Sequence, residues 1–266
     1  MQAVPLGFYL FLVELAAGGV LVSVLLDWEG EVSPGFLLLN GVFLVAFAAA
    51  GVWLRVLLPA PALVPYPADA ALMSLEPAVW GTFTGLAAGH LVWLKLDRRA
   101  AGRVFGLLAG LAGVVGLALS AGAYRPPDVP APVVAGSFLA AALALGTVWS
   151  GMMLGHWYLV TPLLSTRPLL RLNAGLAAAL IIQAGALALA AVAGAAGLAR
   201  ATATWPFWLR VGVGIAFPLA LSVMVWRTAR VRSMMSATGL LYVALGAVLA
   251  GEIIAKALLF IAQAPV

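Results

Sequence analysis

The chain contains no cysteine, only two histidines, and few charged residues for its length. Without cysteine, disulfide bonds, iron–sulfur ligation by this chain and thiol chemistry are excluded. Charged residues make up 9% of the 266 residues, whereas hydrophobic residues make up 65%. A water-soluble domain of this size needs much more polar surface than that. The composition therefore excludes an ordinary soluble protein.

Apolar runs long enough to cross a bilayer, about 18 residues or more, fill the sequence and do not alternate in polarity with a period of two. Strands of a membrane barrel would alternate. We predict an all-α polytopic membrane protein, with about eight transmembrane helices in one bundle and a single domain over residues 1–266. The predicted spans are 5–26, 35–58, 76–96, 103–123, 131–160, 170–197, 206–227 and 237–262. Pro77 and Pro206 are expected in first helical turns, where the missing N–H is not needed.

The net charge of +5 does not indicate nucleic-acid binding, because in a membrane protein it mostly reflects basic residues in cytoplasmic loops. The loops after the first, third, fifth and seventh spans hold most of the lysines and arginines. On the other side we count Arg55, Arg125, Arg200 and Arg210. We therefore expect a multi-pass protein of the inner (cytoplasmic) membrane with both termini on its outer face.

The two histidines occur in one repeated frame, "TGLAAGH" ending at His90 and "SGMMLGH" ending at His156. Each lies near the same end of a predicted span, and the two spans run in the same direction, so we expect both imidazoles at similar depth. The preceding glycines, Gly89 and Gly155, each complete a small-xxx-small motif, which lets helix backbones approach closely. The repeat predicts that both histidines point into one pocket.

Three interpretations of this repeat stay open. In the first, the glycines serve helix packing alone and histidine adds one interhelical hydrogen bond. In the second, His90 and His156 are the axial ligands of a b-type haem, and the glycines clear space for the macrocycle. The third is a quinone or proton site that uses one or both histidines, with copper beside Met152 and Met153 as a variant. Zinc is disfavoured because it requires three or four ligands.

Three charged residues lie deep inside predicted spans, away from the span ends, namely Glu14, Glu252 and Lys256. Each costs roughly 2.5–3.5 kcal/mol at the centre of an isolated span, so we predict that they face the bundle interior and converge. Lys256 follows Glu252 by four residues, which favours an intrahelical pair, and it also reaches Glu14 if the first and last helices pack together. Otherwise Glu14 stays protonated. A protonatable carboxyl at this depth suits a proton path or a base that deprotonates a quinol.

Other polar residues in the spans carry less functional weight. Asn40, Asn173 and Gln183 are expected to form interhelical hydrogen bonds rather than ligand contacts. Pro218 lies inside the seventh span, where it is expected to kink the helix and free a backbone carbonyl.

The opening stretch "PLGFYLFLVELAAGGVLV", together with eight spans and outward termini, resembles the NrfD/PsrC group. These are integral-membrane subunits of polysulfide reductase and related molybdenum or multihaem respiratory complexes. The likeness centres on Leu15-Ala16-Ala17-Gly18, and "MSLEPAVWGTF" is similar to a second stretch of that family. The resemblance implies a quinone-handling subunit that exchanges electrons with an iron–sulfur or haem partner outside the membrane. It assigns no quinone ligand to this chain.

We therefore expect an integral-membrane subunit of an electron-transfer complex, at most the quinone-reactive subunit of an oxidoreductase. Quinone is the expected cofactor, and haem b stays an open addition. The lipid bilayer and the other redox subunits are the expected surroundings, without nucleic acid. A transporter coupled to ions or protons through Glu14, Glu252 and Lys256 is the alternative, although no repeat of helix pairs supports it. A structural or assembly subunit without a cofactor is a second alternative.

Overall fold

The computed structural model describes residues 4–161, 163–192 and 196–266, and within these ranges the chain is helical without any strand. Seven long helices each run without interruption: α1 (Val4–Glu29), α2 (Pro34–Leu57), α4 (Ala70–Lys95), α5 (Arg99–Ala123), α6 (Ala131–Val160), α7 (Arg167–Val192) and α11 (Met234–Ile261). Two short helices, α3 (Ala60–Leu63) and α8 (Ala196–Thr202), lie between them.

An eighth long helix is composite. Here α9 (Trp205–Leu209), a π-helical segment (Arg210–Ala216) and α10 (Phe217–Arg230) follow one another directly. Pro218 lies in the first turn of α10, immediately after the π-helical segment. Because proline has no N–H to continue the hydrogen-bond ladder, this is a point where helical geometry is expected to change.

The long helices confirm the prediction of an all-α polytopic membrane protein. In the described ranges, seven helices are long and apolar enough to cross a membrane. The other long helix, α4, has 26 residues and carries Glu76 and His90 within it. Two of the helices are mostly not covered by the rest of the protein. In the most apolar stretch of α2, 33% of the residues are buried, and in that of α7, 22% are. The remaining apolar surface of both helices requires a lipid environment.

The start of α4 differs from the prediction. The helix begins at Ala70 because the carboxylate of Asp69 accepts two backbone N–H bonds from the first turn. Pro77 therefore lies inside α4, and its predicted place in a first turn is wrong. Pro206, by contrast, lies in the first turn of α9 as predicted.

The central helix of the bundle is α1, which packs against α2, α5, α6 and α11. In the most apolar stretch of α1, 89% of the residues are buried inside the protein. The backbones of α1 and α6 touch, since a Cβ at Gly18 would overlap Ala142 and a Cβ at Gly146 would overlap Gly18. This close approach holds α1 in the middle of the bundle, from where Tyr9 and Glu14 project into two separate buried polar clusters.

Candidate functional site

Four charged side chains meet between α1, α11 and the π-helical segment. Lys256 Nζ lies 2.7 Å from Glu14 Oε1, and Arg210 Nη2 lies 3.1 Å from Glu252 Oε1. All four residues are buried, and Glu14 has no exposed surface at all. Because two cations face two carboxylates, the buried group is electrically balanced, which offsets part of its desolvation cost. We call these residues the four-charge cluster.

The predicted convergence of Glu14, Glu252 and Lys256 is confirmed, and of the two partners left open for Lys256 the structure has Glu14. Lys256 pairs with Glu14 on another helix rather than with Glu252 on its own helix. The reason is the close approach of α1 and α11, since a Cβ placed on Gly7 would lie 3.3 Å from Lys256 Cβ. The ammonium also lies 4.5 Å from the ring centroid of Phe138, which adds a cation–π contact.

The cation beside Glu252 is Arg210, whereas the four-residue spacing favours Lys256 at that place. Two glycines make room for its guanidinium, because a Cβ on Gly214 would lie 3.0 Å from Arg210 Nη1 and one on Gly251 would lie 3.2 Å from it. Counting Arg210 among the loop charges was wrong, since it is buried. The predicted span 206–227 already contained it, so its position was a usable signal.

The four-charge cluster has fewer hydrogen bonds than its polar atoms can form. Gln183 Nε2 donates to Glu252 Oε1 at 2.8 Å. Within the described ranges no hydrogen bond reaches Glu14 Oε2, Glu252 Oε2, Gln183 Oε1 or two of the nitrogens of Arg210. Glu14 Oε1 contacts Lys256 Nζ at 2.7 Å, which leaves Oε2 as the free oxygen of this carboxylate. Both carboxylates therefore keep buried lone pairs that can accept a proton.

A second buried carboxylate, Glu76 of α4, has a different environment. Its Oε1 accepts hydrogen bonds from Tyr9 Oη at 2.9 Å and Ser120 Oγ at 2.6 Å. Its Oε2 accepts from Arg55 Nε and from Tyr124 Oη, both at 2.7 Å. We call these five residues the Glu76 cluster. It ties α1, α2 and α4 to the end of α5.

Sequence reasoning missed the Glu76 cluster. The predicted third span began at Glu76, so this residue was treated as a boundary rather than a buried charge. Arg55 was counted as a loop residue, but it is buried and also donates from Nη2 to the carbonyl oxygen of Met73 at 2.6 Å. Its position inside the predicted span 35–58 was the signal that could have found it.

The two histidines lie in different surroundings. His90 is buried, and its Nδ1 lies 2.7 Å from the carbonyl oxygen of Gly102. A carbonyl can only accept, so Nδ1 carries the hydrogen. His156 is exposed on α6. The preceding glycines also differ in their neighbours, since a Cβ on Gly89 would meet the ring of Phe105 and one on Gly155 would meet Thr238.

The prediction of one shared histidine pocket is therefore wrong. α4 packs on α2 and α5, whereas α6 packs mainly on α1, α7 and α11. The void beside His90 has a volume of about 10 Å³, which is far too small for a haem. His90 and His156 do not fit the axial ligands of one b-type haem, because one imidazole is buried and the other faces outward.

The neutral polar residues of the spans act between helices, as predicted. Asn40 Nδ2 donates to Ser23 Oγ at 2.9 Å, and Asn173 Nδ2 donates to the carbonyl oxygen of Ser222 at 2.8 Å. Gln183 also bonds between helices, but its partner is Glu252, so it belongs to the edge of the four-charge cluster.

No protein-family model, no curated protein and no solved structure matches this chain. The resemblance to the NrfD/PsrC group therefore rests on the quoted sequence stretches and stays a prediction. The orientation of the bundle and the identity of the membrane also stay predictions.

Proposed function

We propose that the chain is a proton-handling integral-membrane subunit of an electron-transfer complex, and that the four-charge cluster exchanges protons within the bilayer. One observation carries this proposal. Glu14 Oε2 and Glu252 Oε2 are buried next to two cations, and no hydrogen-bond donor from the described residues reaches them. Ionisable groups inside membrane spans are costly, and they commonly mark proton or ion pathways.

The pairing of Glu14 with Lys256 couples proton entry to proton exit. A proton that binds to Glu14 neutralises the carboxylate and leaves the Lys256 ammonium without its counterion. An unpaired buried cation is strongly disfavoured, so loss of a proton from Lys256 becomes easier. Protons then enter and leave the cluster one at a time, while its total charge changes little.

The electron-transfer part of the proposal is supported by the sequence resemblance. Glu14 lies inside the stretch "PLGFYLFLVELAAGGVLV" that carries this resemblance. In such a complex, buried carboxylates would take up the protons that a quinol releases on oxidation, or supply those that a quinone needs on reduction. An iron–sulfur or haem protein is the partner expected to exchange the electrons.

A transporter driven by protons or ions is the second candidate, and the π-helical segment favours it. This segment carries Arg210, and Pro218 lies two residues after its end. π-Helical turns are frequent at functional sites, and a change in their hydrogen bonding would move Arg210 relative to Glu252. The two candidates share the four-charge cluster and differ in the need for a redox partner.

The experiment is proton flux into vesicles that contain the purified protein. A pH-sensitive dye inside the vesicles reports proton entry driven by a potassium diffusion potential. Glu14→Gln and Glu252→Gln should each lower the flux at least tenfold. Glu29→Gln, at the exposed end of the same α1, is the matched control and should leave the flux unchanged. Folded variants that conduct like the wild type would overturn the proton-handling proposal.

The redox part has a separate readout. Membranes that contain the chain are solubilised gently, and the quinone that copurifies with it is extracted and quantified. About one quinone per chain, together with quinol-linked electron transfer in the same preparation, would support the electron-transfer subunit. Proton flux without quinone or electron transfer would overturn that part and leave the transporter.

A further inference from the structure

A cavity of about 420 Å³ opens where α6 ends and α11 begins, away from the four-charge cluster. Its lining residues are Tyr158, Leu159, Leu164, Arg232, Met234 and Met235. Four of these six side chains are apolar. Leu159 is 44% exposed and Met235 is 79% exposed, so the apolar wall continues onto the outside of the bundle.

Arg232 is the polar side chain of this cavity that can bind a ligand. The hydroxyl of Tyr158 is already engaged, because it donates to the carbonyl oxygen of Ser165. Arg232 lies in the turn between α10 and α11, with its backbone in the left-handed region at φ 58° and its side chain exposed. Within the described ranges no carboxylate forms an ion pair with it.

The surrounding charges decide what kind of molecule fits. Most acidic residues on this side of the bundle are already in ion pairs with other arginines. Asp27 pairs with Arg103, and both Glu29 and Glu31 pair with Arg171. On the same side of the bundle, the start of α7, the end of α10 and the turn after it carry a surplus of arginines, namely Arg167, Arg227, Arg230 and Arg232. An occupant with a negative head group complements this surplus, whereas a neutral amphiphile would use only the apolar wall.

We propose that this cavity binds an anionic phospholipid, with its phosphate at Arg232 and its acyl chain along Leu159 and Met235. Basic pockets between transmembrane helices are a recurrent way of holding acidic lipid head groups. A volume of this size is within the range of ordinary ligand sites, about 300–1,000 Å³, which suffices for a head group and the first part of a chain. The site is independent of the function proposed for the four-charge cluster.

The test uses delipidated full-length protein in detergent, to which phosphatidylglycerol or phosphatidylcholine is added. Bound lipid is counted by native mass spectrometry, and thermal unfolding is followed by tryptophan fluorescence. We expect at least tenfold preference for phosphatidylglycerol in the wild type. Arg232→Gln should reduce this preference at least fivefold, and Arg232→Lys should retain most of it. Arg98→Gln is the matched control, since it removes the same charge at an exposed position that does not line the cavity.

A second variant separates the cavity from its charge. Leu159→Trp fills the space along the apolar wall of the cavity without changing any charge. It should also reduce phosphatidylglycerol binding at least fivefold. Equal losses in Arg232→Gln and Arg98→Gln would overturn the proposal in favour of diffuse surface charge. Three other results would overturn it as well. Inorganic phosphate would raise the temperature of thermal unfolding as much as the lipid does, phosphatidylcholine would bind as well as phosphatidylglycerol, or Leu159→Trp would leave lipid binding unchanged.

Discussion

The two buried ionic clusters contain the same kinds of charged groups, but different numbers of hydrogen-bond donors reach their carboxylates. Glu76 receives four donors, two on each oxygen, and one of them is the Arg55 guanidinium. In the four-charge cluster, Gln183 and Arg210 both contact Glu252 Oε1, and Lys256 contacts Glu14 Oε1. The second oxygen of each carboxylate has no donor among the described residues. The two clusters thus differ in how many hydrogen bonds their carboxylates accept, and the hydroxyl groups of Tyr9, Ser120 and Tyr124 account for much of the difference.

The Glu76 cluster is built to stabilise the fold, whereas the carboxylates of the four-charge cluster each keep an oxygen that can accept a proton. Both oxygens of Glu76 already accept two hydrogen bonds each, so the carboxylate is fixed in position and holds α1, α2, α4 and the end of α5 together. Adding a proton to Glu14 or Glu252 breaks no hydrogen bond on the free oxygens. A fully satisfied buried network makes a structure rigid, whereas unpaired buried polar atoms carry a cost in free energy.

The largest effect is expected from Glu76→Gln. The substitution leaves the Arg55 guanidinium buried without its counterion, and breaking a buried pair in this way costs about 3–5 kcal/mol. The free energy of unfolding, measured in mixed detergent micelles, should fall by that amount. Glu29→Gln is the control, because its pair with Arg171 is exposed and screened by water, so its loss should change stability little. Similar losses in the two variants would contradict a structural role for the Glu76 cluster.

Lys256→Met should cost less than Glu76→Gln, about 3 kcal/mol or less, because the stranded Glu14 can take up a proton without losing a hydrogen bond. The double variant Lys256→Met with Glu14→Gln should recover at least half of that loss. The same unfolding measurement gives the coupling free energy of the pair. If replacing Glu252 rescued Lys256→Met better than replacing Glu14 did, the interhelical pairing described above would be wrong.

Gly251→Ala tests the crossing that holds Arg210 in the four-charge cluster. A Cβ at this position would overlap Gly214 and press on the guanidinium, and overpacking of this kind costs about 1–3 kcal/mol. Gly246→Ala lies on the same helix with no atom near its Cβ, so it should change stability by less than about 0.5 kcal/mol. Proton flux should fall with Gly251→Ala only, because Arg210 is displaced from Glu252.

The long helices were predictable because each depends on local apolar composition, which a linear sequence displays directly. The convergence of Glu14, Glu252 and Lys256 was predictable too, since charge inside a span has few places to go except the bundle interior. Which cation pairs with which carboxylate was not predictable from the sequence. It depends on which helices touch at Gly7 and at Gly251, and such contacts between distant segments leave no periodic signal in the sequence.

The Glu76 cluster was missed for a related reason. Its five members come from α1, α2, α4 and the end of α5, and none stands out by spacing. Glu76 and Arg55 lie near the ends of their spans, where a charged residue is ordinarily assigned to the membrane surface. Their burial follows from tertiary packing alone.

The smallest effects, and the sharpest test of the repeated glycine–histidine frame, come from the histidines. His90→Gln removes the ring nitrogen that donates to the carbonyl of Gly102, and loss of a buried hydrogen bond costs about 1–2 kcal/mol. His156→Gln changes an exposed side chain and should alter stability by less than about 0.5 kcal/mol. Thermal unfolding of both variants in detergent measures the difference. If the two losses were equal, or if both variants lost one visible absorption band, the two imidazoles would share a site after all. Unequal losses mean that the same seven-residue frame serves two unrelated helix contacts, with Gly89 against Phe105 and Gly155 against Thr238.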